Sequence, residues 1–358
     1  MAKKTISTKI LYRRLDKLFS ASPVISLKEK NKWVIYSDLH MGDGGSNDDF
    51  RRNATLFQAS LNDYYQPLGY NLMLNGDTEE LQRFDVRKIY KHWNLVYRLF
   101  DEFHKDGRLY KTIGNHDLQL GLLKDLPFDY IHLDGLKLEF EGDHLFIFHG
   151  HQASKKYQEH NELIGFTLKY FANPLRIKSY SVSHSSRKQY KIEKRVYEYS
   201  AFNKIVSIIG HTHRPLFESL HKVERLKSRI ESLCRDLSNA RNGNSKEIEA
   251  SIKAHKKELK QYQREKKEHN YQDYLYSTLL HIPCLFNSGC VVGKRGITCL
   301  EIEDDKIRLV HWFDKAISKK YLMDNDYESE RIGNTDFYRM VLNEESLHYI
   351  FTRINLLA

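Results

Sequence analysis

Five short apolar runs each end in side chains that can bind a metal or carry a proton, and this repetition restricts the fold more than any other feature of the chain. The runs are 33–37 (WVIYS), 71–75 (NLMLN), 109–113 (LYKTI), 145–148 (LFIF) and 205–209 (IVSII), all rich in β-formers and leading straight into polar or glycine residues. The first delivers Asp38 and His40, the second Gly76-Asp77, and the third Gly114-Asn115-His116-Asp117. The fourth delivers His149-Gly150-His151 and the fifth Gly210-His211-Thr212-His213. Helix-compatible stretches separate most of these runs, so the pattern predicts a layered α/β fold with mixed sheets. In an open α/β sheet the carboxyl ends of the strands share one edge, so these residues can converge although about 175 positions separate Asp38 from His213.

Composition sets the outer limits. With 358 residues, 41% hydrophobic and 29% charged, the chain can bury a substantial core, as two ordinary domains or one larger domain with insertions. The second is expected, because two segments interrupt a single strand alternation. The formal charge of +10 points to an anionic partner. Four cysteines (Cys234, Cys284, Cys290, Cys299), none in a CxxC pair, argue against a disulfide scaffold and a thiolate metal site, and a cytoplasmic setting is expected. No segment approaches the roughly 20 continuous apolar residues of a membrane span, so membrane contact would be peripheral.

Residues 8 to 19 set Ile10, Leu11, Leu15, Leu18 and Phe19 opposite Lys9, Arg13, Arg14 and Lys17, which predicts a basic N-terminal helix within 1–30. Such a helix packs on the main domain or lies on anionic lipid. The core is expected from 31–151, 204–217 and 281–313. Strand-like runs at 284–287, 296–302 and 306–312 follow one another without helices, which suggests a meander joining a second sheet. Residues 152–203 read as a helical cap whose ten Lys/Arg face four Glu and are interleaved with aromatics. Residues 218–270 read as a coiled-coil hairpin. Val223, Leu226, Ile230, Leu233 and Leu237 alternate spacings of three and four, Asn242-Gly243-Asn244-Ser245 interrupts, and Ile248, Ile252, His255 and Leu259 resume. In the tail, 314–358, helical spacing at Leu342, Leu347, Ile350 and Phe351 predicts packing on the core.

The chemical type of the strand-end residues matters as much as their position. Carboxylate, imidazole and amide oxygen together suit borderline divalent metals such as Mn, Fe, Zn or Co. Asp38, His40, Asp77, Asn115, His149, His211 and His213 are too many ligands for one ion, and a single carboxylate such as Asp77 can bridge two. Two dications lower the pKa of bound water and neutralise phosphate oxygens, so no protein nucleophile is required. Gly42-Asp43-Gly44-Gly45 lacks the pattern of a nucleotide P-loop, though it could pass close to a substrate.

The series D-x-H, G-D, G-N-H-D, H, G-H-x-H, in this order, resembles the calcineurin-like metallophosphoesterase superfamily over roughly residues 32 to 216 and 284 to 312. The resemblance implies a layered α/β/β/α fold with two mixed sheets, and two divalent metals, manganese foremost. One would be held by Asp38, His40, Asp77 and His213, the other by Asp77, Asn115, His149 and His211. It implies that His116 contacts the phosphate and protonates the leaving oxygen, with Asp117 or another acid orienting it, while a metal-bound hydroxide attacks phosphorus in line. His151 stands where relatives often carry Asp and is a candidate substrate contact. Asn287-Ser288-Gly289 resembles a segment that relatives place near the site.

The cap is similar to that of UDP-2,3-diacylglucosamine hydrolases, which implies a small phosphodiester or pyrophosphate substrate of nucleotide-sugar type. His116 is a departure, since those enzymes carry Gly-Asn-Arg-Asp at the third block, and the hairpin is another. The alternatives are a phosphomonoesterase, or a nuclease whose basic groove tracks a nucleic-acid backbone, a reading not favoured because the hairpin mixes fourteen Lys/Arg with nine Asp/Glu over 218–268. A homodimer through the hairpin is a further arrangement that follows from coiled-coil geometry.

Overall fold

The structure, a computed structural model, describes residues 2–123, 126, 130–154, 186–220, 222–239, 245–265, 281–317 and 329–358. Two mixed sheets organise it. The larger is built on β2 (Trp33–Tyr36), β3 (Asn71–Asn75), β4 (Leu109–Thr112) and β5 (His132–Leu133), paired in parallel in that order. On the other side of β2 it continues antiparallel through β10 (Ile297–Glu303), β11 (Lys306–Asp314), β13 (Phe337–Ser346) and β12 (Ser329–Arg331). The smaller sheet runs β1 (Val24–Ser26), β6 (Leu136–Phe140), β7 (Asp143–Ile147), β8 (Val206–Ile209) and β9 (Leu285–Asn287), antiparallel at β6–β7 and parallel elsewhere.

The pleat of the larger sheet divides the apolar residues between two cores. Along β2, Trp33 and Ile35 join Leu138, Ile147 and Ile208 of the smaller sheet, so the two sheets share one core. Val34 and Tyr36 turn the other way, against Phe57 of α2 (Ala54–Ser60) and Val96 and Phe100 of α4 (Asn94–Lys105). Burial on both faces explains why the parallel strands read as continuous apolar runs rather than alternating ones. α3 (Val86–His92) precedes α4, and α1 (Ala2–Ala21) buries Leu11 and Leu15 in the shared core with its basic residues outward.

Two expectations change. The run at 284–287 does not join the meander; it is β9, parallel to β8 in the smaller sheet. The intervening segment carries α6 (Lys222–Asn239) and α7 (Ser245–Glu265), which pack against each other, and the chain then resumes beside the strand it left, as consecutive strands commonly do. In the tail, Leu342 lies on β13, and the helix, α8, spans only Leu347–Leu357. A pair of buried ionic hydrogen bonds fixes that strand: Arg339 donates to Glu301, which also accepts from the Tyr65 hydroxyl at 2.6 Å.

The expected cap lies largely beyond the described residues. Of residues 152–203, positions 155–185 lie outside the described residues, and α5 (Ser186–Asn203) packs on the core, burying Ile192, Val196, Tyr197 and Tyr199. The hairpin turn at 240–244 and residues 266–270 also lie outside the described residues. No described helix is long and apolar enough to cross a membrane.

Candidate metal centre

The five blocks converge, but from two sheets rather than one edge. Asp38 and His40 follow β2, Asp77 follows β3 and Asn115 to Asp117 follow β4, all in the larger sheet, while His149 follows β7 and His211 and His213 follow β8 in the smaller. Backbone bonds stitch the loops within each sheet: Asp38 N–H donates to Gly76 O at 3.1 Å, His40 N–H to Asp77 O at 2.9 Å, and Gly210 N–H to His149 O at 3.0 Å. Side chains stitch across the seam. The Asn75 amide donates to Phe148 O at 3.1 Å, and His211 N–H donates to Asp38 Oδ2 at 2.8 Å. Asn287 and Ser288 belong to this scaffold: the Asn287 amide donates to Gly210 O at 2.9 Å, and Ser288 bonds Ser37 at 2.7 Å.

The backbone at these turns is strained. Asp38, His40, Asp77, His211 and His213 all have φ between 50° and 64°, a left-handed conformation that costs a non-glycine residue about 1 kcal/mol or more. It reverses the chain within one or two residues of the strand end and returns the side chains over the sheet edges. Glycine is required where two loops touch. A Cβ on Gly114 would lie 2.2 Å from Asp77 Oδ1 and 2.3 Å from Asp77 N. Gly114→Ala should therefore displace the Asp77 carboxylate and remove most metal-dependent activity, with the deficit visible as lost metal uptake in elemental analysis of the purified variant.

Each aspartate spends one oxygen on another loop and keeps one for the centre. Asp38 Oδ2 accepts from His211 N–H, and Asp38 Oδ1 stands 3.1 Å from His213 Nε2. Asp77 Oδ1 accepts from His116 N–H at 2.8 Å, and Asp77 Oδ2 stands 3.1 Å from His149 Nε2 and 3.9 Å from His40 Nε2. Asp77 Oδ2 thus lies between two histidines from different sheets, where a bridging ligand would sit. One donor atom each from Asp38, His40 and His213 lie within 4.8 Å of one another, as do those of Asp77, His149 and His211. His116 groups in the same way with His40 and Asp77.

The donor set fits a pair of cations. Asp38 Oδ1, Asn115 Oδ1, His149 Nε2 and His211 Nε2 are buried with no hydrogen bond, and each such atom costs about 1–3 kcal/mol left unsatisfied. Ring tautomers are fixed to match. His149 Nδ1 donates to Asn75 O at 2.8 Å and His40 Nδ1 to Glu80 Oε2 at 3.0 Å, so each ring turns Nε2 toward the centre. His40 Nε2 and His213 Nε2 face each other at 3.0 Å, a spacing two lone pairs tolerate only with a cation or proton between them.

Electrostatics gives the same reading. Burial opposes ionisation of Asp38 and Asp77, yet His213 and His149 beside Asp38, and His149 and His116 beside Asp77, hold both carboxyls below the ordinary range. Burial also opposes the imidazolium form of His40, but the neighbouring Asp38 and Glu80 carboxylates raise its pKa to about 10; Asp77 and Asp38 raise that of buried His149 to about 9. His211, lowered by burial and by the His149 charge to about 3, stays neutral and offers a lone pair.

The acid beside His116 is not Asp117 but one the sequence left unnamed. Asp117 does not orient His116; it is buried, accepting from Thr78 N–H at 2.8 Å and Gly114 N–H at 2.6 Å, and so holds together the loops after β3 and β4. Burial and the neighbouring Asp77 and Glu79 raise its pKa to about 7. The acid on His116 is Glu80. Its Oε1 accepts from His116 Nδ1 at 2.8 Å while its Oε2 accepts from His40 Nδ1, so one carboxylate orients both rings. Glu80→Gln should lower metal affinity or turnover roughly 10–100-fold, the usual effect of losing a ligand's supporting partner; metal titration beside steady-state kinetics checks it. His151 is buried beside His149 and His211, with ring centroids 5.5 and 6.3 Å away, and its pKa is lowered by burial and by those two rings.

No protein-family model matches the chain, and no curated protein sequence matches it. Among solved structures, it is similar to a conserved uncharacterized protein from Streptococcus pneumoniae TIGR4, described as a predicted phosphoesterase, at 11% identity and a TM-score of 0.29 over 79% of this chain and 89% of that one. At that score the likeness fixes neither fold nor activity for this chain.

Proposed function

We propose that the chain is a dinuclear metal-dependent phosphoesterase of the calcineurin-like type, acting on a small phosphodiester or pyrophosphate. The observation that carries this reading is the convergence of His40, His149 and His211, from both sheets, on the Asp77 carboxylate. Asp38, His40, Asp77 and His213 would hold one divalent ion, manganese foremost, and Asp77, Asn115, His149 and His211 the other. Bound there, the pair would neutralise phosphate oxygens and lower the pKa of water. The chain's own part is positional. The two aspartates hold the negative charge, the fixed tautomers aim Nε2 inward, and Glu80 presents His116 with Nδ1 occupied so that its other nitrogen can protonate a leaving oxygen.

The insertion supports a small, enclosed substrate of the nucleotide-sugar kind handled by UDP-2,3-diacylglucosamine hydrolases. Its described C-terminal part, α5, clamps the loop that carries His211 and His213: Gln189 donates to Thr212 O at 2.7 Å and the Thr212 hydroxyl to Glu193 at 2.8 Å. The nuclease reading loses support, since Tyr197 and Tyr199, two of the interleaved aromatics, are core residues.

A hydrolysis panel with manganese tests the proposal, comparing an aryl phosphomonoester, an aryl phosphodiester, a nucleotide sugar and single-stranded DNA, with His116→Ala as control. Turnover of the diester and nucleotide sugar, lost in the variant, is expected. Preference for the monoester would make the enzyme a phosphatase, and inactivity on every substrate would remove the phosphoesterase reading.

A further inference from the structure

Glu80, which joins His40 to His116, has a third neighbour. Arg83 Nε lies 3.8 Å from Glu80 Oε2, so the guanidinium stands one carboxylate away from the imidazole of His116. It belongs to the loop that carries Asp77, and that loop is fixed to the His116 block by the two residues just before Arg83: Leu81 N–H donates to His116 O at 3.1 Å and the Gln82 amide to Asn115 O at 3.0 Å.

Unlike the groups beneath it, Arg83 is open to solvent. Its side chain is 43% exposed, while that of Glu80 is 5% exposed. The guanidinium packs over the Phe84 ring at 5.2 Å, and Nη2 bonds Asp49 Oδ2 at 2.8 Å. Asp49 is itself 61% exposed, and an ion pair that open is worth at most about 1 kcal/mol. Glu80 already accepts from two histidines and holds Arg83 only loosely. The cation is therefore oriented without being neutralised in a dry site, and a phosphate, which guanidinium binds through two parallel N–H bonds, can displace Asp49.

We propose that Arg83 is a specificity-determining residue that binds a second phosphoryl group, on the leaving side of the scissile phosphate, and so favours diphosphate-containing substrates over isolated phosphate esters. The inference rests on the phosphoesterase reading. His116, placed to protonate the leaving oxygen, shares Glu80 with Arg83, so the group that departs past His116 is the one that meets the guanidinium. In a pyrophosphate that group is a second phosphate; in an aryl ester it is uncharged and leaves Arg83 on Asp49.

Binding rather than turnover decides the matter. Calorimetric titration of the manganese-loaded full chain with methylenediphosphonate and with methylphosphonate should show the diphosphonate bound roughly tenfold or more tightly, the ratio one charge-assisted hydrogen bond supplies. In Arg83→Ala that preference should shrink to about threefold or less, through weaker diphosphonate binding alone, whereas Arg87→Ala, which removes an exposed charge on α3, should keep it. A wild-type chain with no preference, or one that survives Arg83→Ala, would overturn the proposal. Failure of the phosphoesterase reading would appear separately, as a wild-type chain that binds the diphosphonate through Arg83 yet cleaves no phosphoester.

Discussion

Asp77→Asn is expected to reduce hydrolysis by about 10²–10³-fold, the loss typical of removing one electrostatic element from a preorganised site. The substitution is nearly isosteric. Asn can still accept the His116 N–H bond that Asp77 Oδ1 accepts. What changes is the other terminal atom: an anionic acceptor 3.1 Å from His149 Nε2 and 3.9 Å from His40 Nε2 becomes an N–H donor. That amide cannot bridge two cations, and the centre loses one negative charge, so metal uptake should fall to one ion or fewer per chain. Circular dichroism should show the fold intact, which separates a chemical defect from unfolding. A variant within about tenfold of wild-type turnover would contradict the bridging role.

The second large effect concerns stability behind the centre. Lys111 on β4 places Nζ 2.6 and 2.7 Å from the two carboxylate oxygens of Glu79, and the Tyr97 hydroxyl donates to the same carboxylate at 2.7 Å. Both charged side chains are essentially inaccessible, at 2% and 0% exposure. Lys111→Met keeps most of the volume but leaves a buried carboxylate with one neutral donor, and breaking a buried pair this way costs about 3–5 kcal/mol. Because Glu79 lies two residues beyond Asp77, the same change should loosen the loop that carries the bridging ligand. Denaturant unfolding reads the loss. The double variant Glu79→Gln, Lys111→Met should recover a substantial part, since the uncompensated charge is gone; recovery of none would place the destabilisation in packing.

The strands that build the site could be read to within about two residues, because β2, β3 and β8 are buried throughout and β4 and β7 end in buried residues. Their division between two sheets could not. Periodicity identifies a strand and says nothing of its partner, so the five ends read as one edge when they are three and two. The tail failed for a related reason. Leu342, Leu347, Ile350 and Phe351 satisfy a helical spacing, but Leu342 belongs to a strand held by Arg339 on Glu301, an ion pair between residues 38 positions apart.

At the site, Asp38, His40, Asp77, His149, His211 and His213 come together at the seam, since each closely follows a strand end. Glu80 was hidden by its neighbour. Glu79 and Glu80 are adjacent carboxylates in one turn, yet one faces Lys111 and the other faces His40 and His116. No local pattern separates them. The only available signal was a carboxylate three positions beyond the Asp77 that faces the centre. Asp117 was the more conspicuous acid in the sequence, being next to His116, but adjacent residues on a tight turn point apart, and its carboxylate closes the turn on Gly114 N–H.

The central claim is that two metal ions share Asp77. Equilibrium dialysis of the full chain against manganese, followed by elemental analysis, tests it most directly. Two ions per chain at saturation in the wild type are expected, with a thermal midpoint that rises as manganese is added because the ligand binds only the folded state. Saturation at one ion or none, with no change in the midpoint, would contradict the account.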